Sequence, residues 1–262
     1  MVRLFAAPNT DGPRVRVGVL WFLLVVPVVY VGPVPTAFLF GLIAGVAALQ
    51  SGQAWRRAGY RPSRLVALPF ALALPATATT SYANPGIVIL VLPIVALAAA
   101  VGVPRRRRRS SAVAAAGITT ACALAPGVAA MGAVYVARLP EPGIALVFIA
   151  MICAYDVGSF LFGADARAPV FGIVAGITAG IICTMVVTFF VFATHLPPFD
   201  GRADAWVYGA MVAVFAPLGQ IVASLALPKA STWVPALRRL DAYIFTAPLW
   251  AWVMWSYLGI LG

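Results

Sequence analysis

"AVAAAGITTACALAPGVAAMGAVYV", Ala112 to Val136, contains no Asp, Glu, Lys, Arg or His. As a helix rising 1.5 Å per residue, such a stretch more than covers the roughly 30 Å hydrocarbon core of a bilayer. It is apolar all round, so it offers no polar face to water. Arginines stand on both sides of it, at Arg105–Arg109 and at Arg138. The stretch reads as a membrane-crossing helix, and the rest of the chain repeats its character.

The chain is 63% hydrophobic and only 10% charged over 262 residues, more apolar surface than a soluble domain of this length could hide. Apolar runs of about 18 or more residues recur along it, the pattern of a polytopic helical membrane protein. A membrane β-barrel would alternate polar and apolar residues in segments of about ten. That alternation is absent. No cleavable signal peptide is read, because the first apolar stretch follows a polar leader and is long enough to span.

The expected fold is therefore an all-α integral membrane protein of about nine transmembrane helices. They are placed at Val17–Val31, Val34–Gln50, Leu65–Thr79, Gly86–Val103, Ala112–Val136, Ile144–Phe162, Val170–Thr194, Ala205–Leu225 and Ala242–Leu261. Proline and glycine punctuate the joins, as in "VGPVPT", "YANPG", "LPEPG" and "HLPPFDG". The chain divides into a leader at 1–16, an N-terminal bundle at 17–143 and a C-terminal part at 144–262. No internal repeat and no separate soluble domain is read.

Charge placement orients the spans. With the N-terminus in the cytosol and the C-terminus outside, the cytosolic segments hold every Lys and Arg of the chain except Arg138 and Arg202. That bias is the positive-inside pattern. The "RRRRR" run, Arg105–Arg109, then reads as a cytosolic anchor able to lie on anionic lipid headgroups. The net charge of +11 thus does not point to nucleic acid, since the run lacks interleaved aromatics and a domain to carry them. Cys122, Cys153 and Cys183 fall inside apolar runs without metal-type spacing and read as small core residues. His195 is the sole histidine, so a histidine-rich zinc site is excluded.

Only seven carboxylates exist, and two stand at the edges of strongly apolar stretches: Asp156 in "AYDVGSFLFG" and Asp241 in "RRLDAYIFTAP". An ionisable group at membrane depth is costly and is a functional candidate by default. Arg238 and Arg239 are the partners the sequence offers Asp241. For Asp156, the alternative is a helix-end carboxylate paired with an arginine on a neighbouring helix.

Together these stretches resemble the phosphatidate cytidylyltransferase (CDP-diacylglycerol synthase) family. "YDVGSFLFG" is similar to the family's Asp-Thr-Gly-Ala-Tyr-Phe-x-Gly element. "LRRLDAYIFTAPLWAW" is similar to the end of its signature, in which Asp-Arg-x-Asp precedes a Ser-x-x-Phe-x-Ala-Pro helix. "APLGQIVASLAL" resembles the Leu-Gly-Asp-x-x-Glu-Ser segment, with Gln220 and Ala223 in the acidic places and Ser224 kept. The resemblance covers roughly residues 145–262.

The resemblance implies condensation of CTP with phosphatidic acid to give CDP-diacylglycerol and pyrophosphate at the cytosolic face of a bacterial cytoplasmic (inner) membrane. It implies Mg2+ held by Asp156 and Asp241, which would also be the catalytic residues. Arg239 matches the family's phosphate partner, and Arg238, Lys229 and Ser224 join it as phosphate-binding candidates. A homodimer or another membrane-protein partner is also implied. The chain departs from the family at several places. Leu227 and Pro228 stand where Lys-Arg belongs, Arg238 replaces the first aspartate of Asp-Arg-x-Asp, and "RAPVFGIVAG" keeps only a proline of the segment after Asp156. A triphosphate normally takes several charge-assisted contacts. A catalytically lapsed lipid-binding or partner subunit therefore remains an alternative, and a small transporter component is a second.

Overall fold

The computed structural model describes residues 14–102, 111–163, 202–229, 232 and 234–259, with isolated helical positions between 174 and 189. For 14–19, 157–163 and 202–206 it describes the backbone only. Every described secondary-structure element is a helix: α1 (Arg14–Val31), α2 (Pro33–Arg57), α3 (Arg64–Ala78), α4 (Asn84–Val101), α5 (Ala112–Ala137), α6 (Pro142–Gly163), α7 (Arg202–Leu225), α8 (Pro235–Arg238) and α9 (Tyr243–Tyr257). Eight of these fall on the predicted stretches. Only isolated helical positions of the seventh predicted span are described, and the Arg105–Arg109 run, His195 and most of the 1–16 leader lie outside the described residues. Among the described residues, four helical stretches are long and apolar enough to cross a membrane: Pro33–Arg57, Asn84–Val101, Ala112–Ala137 and Val207–Leu225. Three shorter apolar stretches accompany them, at Leu20–Val31, Arg64–Ala78 and Pro142–Asp156. Together they make this a helical integral membrane protein.

Local signals explain the boundaries. The Ser111 hydroxyl accepts a hydrogen bond from the Ala114 amide at 3.1 Å, capping the start of α5. Pro33 opens α2, where a missing amide proton costs nothing. Arg56 and Arg57 close that helix beside its exposed carbonyls. Gly59 then turns the chain at φ 93°, a conformation that side-chain-bearing residues rarely adopt. The Ser63 amide donates to Thr119 Oγ1 at 3.0 Å, fastening the short connection before α3 to α5.

Helix α5 is the central post and packs against α2, α3, α4 and α9. Its sequence shows why it can. Helices within lipid gain little from burying apolar surface against each other, so they associate where small residues let backbones come close. Gly127 packs against Leu74 and Ala71 of α3, where a Cβ would fall within 3.0 Å of the Leu74 side-chain tip, and Gly132 admits Ala247 and Pro248 of α9, where a Cβ would fall within 3.0 Å of both. Aromatic ring contacts join α6, α7 and α9. Phe148 of α6 meets Tyr243 at 5.8 Å and Trp250 at 5.2 Å between ring centroids, and Tyr208 of α7 meets Trp250 at 5.1 Å. Outward, α4 exposes Ile87, Leu90 and Ile94 along most of its length, a face suited to lipid chains rather than water.

Candidate active site

The turn between α8 and α9 carries Asp241, which is 4% exposed. The backbone there belongs to neither helix, and the carboxylate is held from two directions. Its Oδ1 accepts from the Ala242 amide at 2.8 Å, and its Oδ2 accepts from Arg238 Nη1 at 3.4 Å. The same Arg238 Nη1 donates to Ser224 Oγ at 3.1 Å, and that hydroxyl in turn donates to the Gln220 carbonyl at 2.8 Å. Arg238 therefore ties the α8–α9 turn to the C-terminal end of α7. Burial pushes the Asp241 carboxyl up to about 6, against the pull of the Arg238 guanidinium and of the two hydrogen bonds.

Gly219 sets how close α7 can come. A Cβ there would meet the Asp241 carbonyl oxygen well inside the 3.0 Å limit of real contacts, with the carbonyl carbon at 3.2 Å. The bare glycine lets α7 lie directly on the turn that presents the carboxylate.

Helix α6 supplies the other acid. Asp156 is half-buried near the end of α6. Its neighbour Tyr155 is fully buried, and its hydroxyl donates to Gln220 Oε1 at 3.2 Å. Hydrogen bonds from Tyr155 to Gln220 and from Arg238 to Ser224 thereby link the helix that carries Asp156, through α7, to the turn that carries Asp241, about eighty-five residues away in sequence.

Lys229 is placed differently. It is exposed and lines a half-open hollow with the C-terminal end of α2, none of whose lining residues belongs to the carboxylate group. Two members of the group, Tyr155 and Gly219, carry no charge and were not singled out from sequence. Their signals were adjacency to Asp156 and the "LG" before Gln220.

The chemistry of this group can be bounded. Among the described residues, no three His, Cys, Asp or Glu side chains converge as a metal cage. A carboxylate offers about four lone-pair positions, and the two hydrogen bonds to Asp241 leave the others open. Mg2+ is commonly bound by one or two carboxylates with water and substrate phosphates supplying the remaining oxygens. Asp156 and Asp241 fit that donor set.

Residues 13–226 match the sequence model of the Cytidylyltransferase family. The matched stretch takes in α1 to α7, Asp156 and Ser224, and it ends before the Arg238–Asp241 turn. The likeness read from the C-terminal half therefore extends through the N-terminal half as well. No curated protein and no solved structure gives a match. A match over most of its length places the chain in the cytidylyltransferase family.

Proposed function

We propose that this protein is a phosphatidate cytidylyltransferase-like enzyme, joining CTP to phosphatidic acid with release of pyrophosphate. The observation that carries the reading is the hydrogen-bonded chain from Tyr155, next to Asp156, through Gln220 and Ser224 to Arg238 and the buried Asp241. In the reaction, a phosphate oxygen of the lipid forms a new bond to the α-phosphorus of CTP. The bond from that phosphorus to the bridging oxygen of the β-phosphate breaks, and the electron pair leaves with pyrophosphate.

In this reading Asp156 and Asp241 hold magnesium, which when bound neutralises phosphate charge and aligns the in-line displacement. Asp241 is positioned for that by its neighbours: Arg238 and the Ala242 amide fix its rotamer, and the Gly219 contact fixes its backbone. Arg239, which has no such engagement with Asp241's oxygens, binds substrate phosphate. Ser224 orients Arg238 and adds a hydroxyl near the phosphates. The nine-span arrangement, with the N-terminus and this site facing the cytosol of a bacterial inner membrane, belongs to the same proposal and rests on arginine placement. Purified protein in nanodiscs, given labelled CTP, phosphatidic acid and Mg2+, is expected to yield CDP-diacylglycerol; absence of product beside an active family member would refute the reading.

One observation favours a second reading, a lapsed member retained as a lipid-binding subunit. Gln220 stands in an acidic place of the family pattern, and its side chain is engaged by Tyr155 while its carbonyl is engaged by Ser224. That makes a structural lock where the family pattern would put a ligand. The same assay separates the two, because the lapsed form binds phosphatidic acid without turnover.

A further inference from the structure

The corner where α2 turns into α3 reads "RRAGYRPSRL", Arg56–Leu65, and is strongly basic. From Gly12 to Pro140 the sequence holds no Asp or Glu, so this half of the chain offers its arginines no acid. Among the described residues, none of Arg56, Arg61 and Arg64 forms an ion pair with a carboxylate. The backbone brings these cations to one place. Gly52 and Arg56 stand one turn apart on the same face of α2. A Cβ at Gly52 would lie 3.8 Å from Arg64 Cγ and 3.9 Å from Pro62 Cγ, and Arg56 Nη2 donates to the Pro62 carbonyl at 3.4 Å. The Arg64 stem and the Arg56 head thus flank Pro62, with Arg61 beside it in sequence. Like charges gathered in this way repel each other unless an anion joins them.

The corner is held in shape. The Tyr60 amide donates to the Trp55 carbonyl at 3.0 Å, their rings meet edge-on at 5.1 Å, and the Ser63 amide is fastened to Thr119 of α5. Trp55 Nε1 donates to the Ala226 carbonyl at 2.8 Å, which sets the corner at the α7 end that carries Ser224. Its surroundings point to lipid. Helix α3 has 15 residues and rises about 22 Å, short of the roughly 30 Å hydrocarbon core. A span that short draws the bilayer surface toward its ends. Leu65, in its first turn, is 89% exposed, an apolar side chain left for acyl chains. Arg64, next to it, keeps its Nε–H buried with no acceptor among the described residues. At headgroup depth, the acceptor that matches a guanidinium in both charge and geometry is a phosphate oxygen.

We propose that the α2–α3 corner is a docking site for an anionic phosphodiester lipid of the phosphatidylglycerol class, in the leaflet on the Ser224 side of the bundle. Arg61 and Arg64 take the phosphodiester, Arg56 adds its charge from α2, and Leu65 lies along the acyl chains. Cytidylyl transfer neither consumes nor makes such a lipid. The site rests on this corner alone, so it holds for an active and for a lapsed protein.

The test is lipid binding to purified full-length protein in a neutral detergent, read by native mass spectrometry and by melting temperature, with phosphatidylglycerol and phosphatidylcholine as separate probes. The variants are the double substitution Arg61→Gln with Arg64→Gln, the single Arg64→Lys, and Arg106→Gln with Arg107→Gln in the other basic run. Arg61 is exposed and Arg64 half-buried, so without added lipid the double variant is expected to melt close to wild type. Wild type should bind phosphatidylglycerol about tenfold more tightly than phosphatidylcholine and melt several degrees higher with it. The double variant should lose that preference. Arg64→Lys keeps the charge but not the Nε–H, and should weaken phosphatidylglycerol binding several-fold. The Arg106 and Arg107 variant should leave it within about twofold. Equal binding of the two lipids by wild type, or an unchanged preference in the double variant, would overturn the proposal. Full binding by Arg64→Lys, or an equal loss in the Arg106 and Arg107 variant, would replace the site with general attraction of basic segments to anionic lipid. Failure of the cytidylyl-transfer assay with this preference intact would sink the catalytic reading only.

Discussion

Gly219→Ala probes whether the α7–turn contact governs the carboxylate. The added methyl would meet the Asp241 carbonyl oxygen, a backbone atom that cannot rotate out of the way, and would lie 3.2 Å from its carbon. That carbonyl also accepts from the Ile244 amide at 3.3 Å in the first turn of α9. Relief requires α7 or the turn to move bodily, which should break or lengthen the Arg238–Ser224 contact now at 3.1 Å. Overpacking of this kind costs about 1–3 kcal/mol. A displacement near 1 Å at a metal-binding carboxylate costs on the order of a hundredfold in rate. Melting of the detergent-solubilised protein, followed by size-exclusion fluorescence, reads the first effect, and CTP turnover reads the second. A variant with wild-type melting and turnover would show that α7 does not press on this turn, and the argument for Gly219 would fall.

Gly132→Val places bulk against Ala247 and Pro248 at the α5–α9 seam, and it should lower the melting temperature by several degrees or prevent recovery of folded protein. Asp241→Asn should abolish turnover while the protein stays folded, and its stability should change with pH in a defined way. Because burial raises the folded-state value above that of a free aspartate, the contribution of Asp241 is fully present below about pH 4 and is lost as pH rises through about 6. Melting temperatures of wild type minus variant should therefore fall across that window; a flat difference would mean the carboxylate is not buried. In a background lacking native cysteines, Arg61→Cys should label only from the cytosolic side and Asn84→Cys only from outside. Labelling on the opposite sides would reverse the proposed topology.

Much of the helix layout was legible because a bilayer leaves little freedom: long uncharged runs become helices, and prolines and glycines mark the joins. The end of α2 was read too early, at Gln50 rather than Arg57. The polar "SGQ" that follows resembles a loop, but it is helical and forms one wall of the hollow. The four-residue α8 was missed, since a single turn has no periodicity to detect. Among the site residues, Arg238 and Arg239 were both readable as partners for Asp241, and the structure pairs Arg238 with its carboxylate. The approach of Asp156 from a distant helix came from motif resemblance, because no local pattern encodes it. Gly219 looked like any packing glycine. What distinguishes it is the backbone it meets, and that is a tertiary fact.

The most direct test of the central claim is cytidylyl transfer by the purified protein in nanodiscs, with phosphatidic acid, labelled CTP and Mg2+, and CDP-diacylglycerol separated by chromatography. The account predicts product that disappears on adding EDTA and in Asp241→Asn. No product from well-folded wild-type protein, beside an active family member under the same conditions, would contradict it.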